Sequence, residues 1–222
     1  MDLSALIAAY RRDADDRVAG YLSSRTDLIE WFNEAEEEAC LRKRLIRVAD
    51  DADLCIIDVT APTSIYALHP KLAWVTRADF TPDGDADPIN LRLCSVGDAD
   101  RLRPDWRTTT MAPECLIVED AQVQLACIPE TSGELKLEGY RLPLDRIEDR
   151  ASESPEIHAA HHRHLVKWVL HRAHSRPDSQ IYDPERAQRS LEEFEAHFGP
   201  RVDGDRRRDT ENDMPQVNVS FP

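Results

Sequence analysis

The spacing of apolar residues changes twice along this chain, and each change narrows the folds open to it. At the start, Leu3, Leu6, Ile7 and Tyr10 recur at helical spacing, and after the glycine-containing AGYLSS the same period resumes at Leu28, Phe32, Ala35 and Ala39. From about Asp53 to Pro143 the period falls to two, in CIIDVT, LAWVTRADF, INLRLCS, ECLIVE, QVQLACI and ELKLEGYRL, separated by PTS, PDGDADP, ED and PETSG. The helical period then returns. This order predicts an α+β fold: a helical bundle built from both chain ends with an inserted antiparallel β sandwich or curled sheet. Expected boundaries are 1–52 for the N-terminal bundle helices, 53–143 for the β domain, 144–199 for the C-terminal helices and 200–222 for an extended tail.

Local signals sharpen the helices. Ser24 can cap a helix whose Asp27 completes a capping box, and acid near its start with RKR near its end suits the macrodipole. A histidine-rich helix is expected to begin near Pro155 and end near RPDSQ. The last helix is punctuated by Asp183 as cap, Pro184 in the first turn, and Gly199 and Pro200 as the stop, with Ala187, Leu191, Phe194 and Phe198 as its apolar stripe. Beyond it the sequence is polar, apart from the alternating Val217, Val219 and Phe221, a strip suited to ordering against a partner.

Charge and motifs remove several function classes. With 28 basic against 43 acidic residues the chain carries a formal charge of −15, which repels nucleic acid and anionic membrane as a whole. No apolar run approaches the about eighteen residues that a membrane span needs, and the N-terminus has no positive leader region. Cys40, Cys55, Cys94, Cys115 and Cys127 are odd in number and mostly set among apolar neighbours, as expected of buried free thiols in a reducing compartment. The four Asp-Ala-Asp triplets are irregularly spaced, hence no structural repeat. DGDADP lacks the glycine and glutamate a calcium loop requires and reads as a turn. Trp31, Trp74, Trp106 and Trp168 read as core or interface anchors, because no basic stripe accompanies them.

The stretch EIHAAHHRHLVKWVLHRAH, residues 156 to 174, holds six histidines. His158 and His162 stand four apart, His161 and His164 three apart, and His171 and His174 three apart, spacings that place pairs on one helix face. A zinc site would need three or four ligands, His-Glu-x-x-His is absent, and Arg163, Lys167 and Arg172 would repel a cation. No catalytic, cofactor-binding or metal-binding residue is therefore assigned. The competing readings are a small metal-dependent enzyme using this helix, or a non-viral cytoplasmic binding module.

Several stretches, in this order, resemble the head-to-tail adaptor proteins of short-tailed bacteriophages: TDLIEWFNEAEEEACLRKRLI (26 to 46), YALHP (66 to 70), PDWRTTTMAPECLIVED (104 to 120), CIPETSGELKLEGYRLPL (127 to 144), LVKWVLHRA (165 to 173) and DPERAQRSLEEFEAHFG (183 to 199). The resemblance implies a noncatalytic virion protein of the neck or tail, assembled in the host cytoplasm. It implies a homo-oligomeric, twelve-subunit ring that contacts the portal protein and a tail nozzle or tail tube protein. Double-stranded DNA would pass through without sequence recognition, and no cofactor or membrane is involved.

The candidate partner-interface residues are His161, His162 and His164, with Val217, Val219 and Phe221 in the tail. The helical ends are expected to face the portal and the β block the tail. A chain at −15 is expected to line a DNA channel with acid, so that the duplex slides. Imidazoles titrating near their ordinary value of about 6.5 would make portal attachment depend on pH between about 5 and 7.5.

Overall fold

A computed structural model of the chain describes residues 1–84, 87–177 and 179–201. In chain order its elements are α1 (Leu3–Asp13), α2 (Arg25–Lys43), β1 (Ile46–Val48), the one-turn α3 (Ala52–Cys55), β2 (Ile56–Val59), β3 (Ile65–Ala67), β4 (Leu72–Pro82) and β5 (Ile89–Cys94). They continue with α4 (Val96–Leu102), β6 (Thr110–Met111), β7 (Cys115–Val118), β8 (Gln122–Leu125), β9 (Ile128–Pro129), β10 (Gly133–Arg141), α5 (His162–His174) and α6 (Pro184–Phe198). The long helices and the strands are segregated, which is the α+β class. Two compact units result: a helical unit of Met1–Ile46 with Leu142–Arg201, and a strand unit whose described residues lie within Arg47–Arg141.

In the helical unit, α5 packs against α1, α2 and α6. Its core joins Leu3, Leu6 and Tyr10 to Leu28, Phe32 and Ala35, to Leu165, Val166 and Val169, and to Phe194 and Phe198. The caps at Ser24, Asp183 and Gly199 form. Ser24 accepts from the Asp27 N–H at 3.0 Å, Asp183 accepts from the Arg186 N–H, and Gly199 ends α6 at a positive φ that favours glycine. Arg42 ties α2 to α6. Its guanidinium meets Glu38 at 3.0 Å and Glu195 at 3.1 Å, and lies over the Phe194 ring.

The expected helix start near Pro155 is corrected: α5 begins at His162, and residues 142–161 form an irregular strap. Tertiary bonds compete for the backbone there. The Ile157 N–H goes to Glu36 of α2, and the Ile157 carbonyl faces the His162 ring instead of an amide one turn on.

The strand unit is a curled mixed sheet, ordered β1-β10-β4-β5-β7-β8-β3, with β2 also paired to β10. The long β4–β10 pair is antiparallel, running from Gly133 opposite Pro82 to Arg141 opposite Leu72, with register shifts after Glu138 and Tyr140. At the first shift the strands approach so closely that a Cβ on Gly139 would fall 1.7 Å from the Trp74 carbonyl oxygen. Only glycine fits there.

Wholly antiparallel pairing is corrected at β5–β7, which run parallel with Leu93 opposite Leu116. The connection carries α4, capped by Ser95, which turns the chain back to the same end of the sheet. Asp-Ala-Asp at 98–100 serves this crossover, since Ala99 is buried and Asp100 accepts from the Trp106 indole at 2.9 Å. Trp31, Trp74 and Trp106 are buried and Trp168 is partly buried against the helical core. The five cysteines are free, and all but the half-buried Cys115 are buried.

Candidate functional site: the histidine face of the helical unit

The six histidines of 156–174 separate into three environments. His162, His171 and His174 are fixed by backbone carbonyls. His162 is buried, with Nδ1 2.9 Å from the Met1 oxygen and Nε2 2.8 Å from the Ile157 oxygen. His171 Nδ1 lies 3.0 Å from the Ala187 oxygen, and His174 Nδ1 2.7 Å from the Ile181 oxygen. These rings join α5 to the chain start, to α6 and to the segment between the two helices. His158 precedes α5 and is exposed, so its four-residue spacing to His162 does not put the two on one helix face.

His161 and His164 belong to a third group, together with a residue that spacing along one helix does not reveal. α5 and α6 run antiparallel, which brings the start of α5 to the end of α6 and places His197 between them. His161 Nδ1 is 2.9 Å from His197 Nε2, and the His164 and His197 rings stack at 3.5 Å with an interplanar angle of 3°. Phe198 meets His197 and His164 edge-on. The signal for His197 was its place next to Phe198 on the stripe of α6, usable only once the partner helix was known.

This packing suppresses charge. Burial pushes His197 down to about 4, helped by His164, Lys43 and His161 beside it. His161 is lowered by burial and then by Lys43, His158, His164 and His162. His164 is lowered by burial and then by Lys43, Arg163 and Lys167. The assumption of ordinary imidazoles is corrected: this trio is neutral at pH 7 and takes up protons only in more acidic solution. Stacked rings also do not converge on a point. Among the described residues no group of three or more His, Cys, Asp or Glu side chains is placed to hold a metal ion.

On the far side of the strap two polar residues of α2 clamp it from within the core. The Ile147 N–H donates to Asn33 Oδ1 at 2.7 Å while Asn33 Nδ2 donates to the Ile147 carbonyl at 3.2 Å, and Glu36 accepts from the Ile157 N–H at 3.1 Å. Glu36 is 2% exposed, and burial raises it to about 7. The backbone N–H groups of Ile157 and Glu156 lower it in part, and the Glu156 and Glu37 carboxylates raise it. In the sequence Asn33 and Glu36 sit inside the apolar stripe of Phe32, Ala35 and Ala39, a conflict that marks buried polar groups.

Together, the histidine trio at the α5–α6 junction and the strap clamped by α2 are densely hydrogen-bonded polar features of the helical unit. Val217, Val219 and Phe221 lie outside the described residues. No curated protein matches the chain. The family model described as SU10 adaptor protein matches residues 1–218, which span both segments of the helical unit and the strand block between them. The chain therefore belongs to the SU10 adaptor protein family, a family of bacteriophage structural adaptors.

Proposed function

We propose that this chain is the head-to-tail adaptor of a short-tailed phage, a structural protein of the virion neck with no catalytic step of its own. Copies form a ring, twelve in number, beneath the portal protein, offer a docking surface to a tail nozzle or tail tube protein, and leave a channel for double-stranded DNA. Assembly takes place in the host cytoplasm. The family match over residues 1–218 carries the reading.

Other features support it. A formal charge of −15 suits a lumen past which a duplex slides without being read. Among the described residues no helix is long and apolar enough to cross a membrane. In this reading the helical unit carries portal attachment. His161 and His164 present the contact face, His162 holds the strap beneath them, and the tail residues Val217, Val219 and Phe221 add an apolar strip. The lowered histidines move any pH dependence of attachment below the range expected of ordinary imidazoles.

The test is reconstitution. Purified chain mixed with portal assemblies of the same phage is expected to give a complex whose mass fits one added ring. Deleting residues 200–222 should weaken attachment and leave helical circular dichroism unchanged. A folded chain that ignores the portal overturns the proposal, and undiminished attachment after the deletion removes the docking role of the tail.

A further inference from the structure

Between α1 and the start of α2 lies an open groove of about 820 Å³, lined by Ile7, Arg11, Arg17, Gly20, Tyr21 and Arg25 with small and hydroxyl side chains. Three arginines and no carboxylate face it, in a chain whose acids outnumber its bases by 43 to 28. The volume falls in the range that takes a small molecule or a few residues of a peptide.

The wall of this groove is held in shape. Asp16, buried, pairs with the Arg11 guanidinium and accepts from the Leu22 N–H at 3.0 Å, while Arg11 donates to the Ser23 carbonyl at 2.8 Å and lies 3.9 Å over the Tyr21 ring. Gly20 turns the segment at a φ of +99°, which L side chains rarely adopt. The loop so pinned turns its large apolar side chains outward: Val18 is 80% exposed, Tyr21 53% and Leu22 48%. Such an exposed apolar cluster beside an arginine-lined groove marks a recognition surface.

The two outer arginines are available. Arg17 pairs with Asp15 at 3.6 Å and Arg25 with Asp149 at 2.5 Å, all four side chains well exposed. Exposed ion pairs of this kind are weak, so an incoming carboxylate displaces them at small cost.

We propose that this groove docks an extended segment of a partner protein in which acidic side chains alternate with apolar ones. The carboxylates meet Arg17 and Arg25, and the apolar side chains cover Val18, Tyr21 and Leu22. A small anion alone would leave the apolar cluster unused. This surface adds to the head-to-tail reading and does not depend on it.

The experiment uses the full chain and a fluorescein-labelled peptide, Gly-Glu-Leu-Glu-Phe-Glu-Leu-Gly, followed by fluorescence anisotropy. Saturable binding that weakens with added salt is expected, with a loss of about tenfold in Arg17→Gln/Arg25→Gln and a similar loss in Val18→Ser/Leu22→Ser. All four positions are exposed, so the fold is retained, as circular dichroism will show. Equal binding of a peptide with Gln for Glu, displacement by inorganic phosphate at comparable concentration, or no binding overturns the proposal. Self-association of the chain that is abolished by Arg17→Gln/Arg25→Gln, without peptide binding, assigns the groove to a second copy and also overturns it.

Discussion

The two units solve the same problem, satisfying a buried backbone, by different means. In the strand unit the ladders do it: β10 pairs with β4 along its length and with β2 on its other side, around a core of aliphatic, aromatic and cysteine side chains. The helical unit instead packs long irregular connections, 14–24 and 142–161, against its helices, and these have no ladder. Side chains take over. Every polar or charged residue that is buried as a whole among the described residues, Arg11, Asp16, Ser23, Asn33, Glu36, His162 and His174, belongs to this unit. Buried polar groups are costly unless paired, so the helical unit holds the fold's sensitivity to pH and to single polar substitutions. The strand unit's response is expected to follow packing first.

The contrast breaks most readily at Asp16. Replacing it with Ala strands the buried Arg11 guanidinium and two loop amides, and is expected to cost about 4 kcal/mol in urea unfolding. The loss should appear as lowered hydrogen-exchange protection in α1 and α2 while β4 and β10 keep theirs. Uniform loss in both units would show that they unfold as one body.

Next comes Glu36. Its folded-state value of about 7 lies above the ordinary 4.5, so between those values the folded chain binds a proton that the unfolded chain releases. Stability on this account is present below pH 4.5 and falls as pH rises to 7, by about 3 kcal/mol. Glu36→Gln keeps an acceptor for the Ile157 N–H and cannot ionise. It should stabilise the helical unit by about 2 kcal/mol at pH 8, with little effect at pH 5. An equal gain at both values would mean that Glu36 is not the titrating group.

The smallest effect concerns the histidine trio. In NMR titration His197 is expected to protonate near pH 4 in the wild type. In His164→Gln it should move up toward the ordinary value, since one neighbouring cation and one stacked ring face are gone. The trio's lowered values act on stability in the opposite sense to Glu36: its contribution is lost as pH falls below about 6.5. A His197 unmoved by His164→Gln would leave burial, with Lys43 and His161, as the cause.

Elements that rest on neighbours along the chain are legible in the amino-acid order itself. Ser24 with Asp27, Asp183 with Pro184, and Gly199 bound α2 and α6 because caps are built from residues within one turn. The six longest runs of period two became strands because alternation fixes which face is buried. The α+β class follows from those runs alone.

What escaped was settled by contacts between residues far apart in sequence. His158 to His161 carry enough alanine and histidine to continue a helix, yet Glu36, more than a hundred positions earlier, takes the Ile157 amide and holds α5 to a start at His162. INLRLCS and ECLIVE carry the same alternation as the antiparallel strands, and the crossover through α4, with Ala99 and Trp106 packed among Cys94 and Ile117, runs them parallel. In the candidate site, spacing pairs His158 with His162 and His161 with His164, and His161, His162 and His164 together make up the interface expected from sequence. The antiparallel meeting of α5 with α6 gave two of them to His197 and the third to the core. Local sequence determined which segments are helix or strand, because dihedral preference and hydrophobic period act over a few residues. Tertiary structure alone decided which polar groups are buried, paired and shifted, because desolvation depends on whatever part of the chain closes over them.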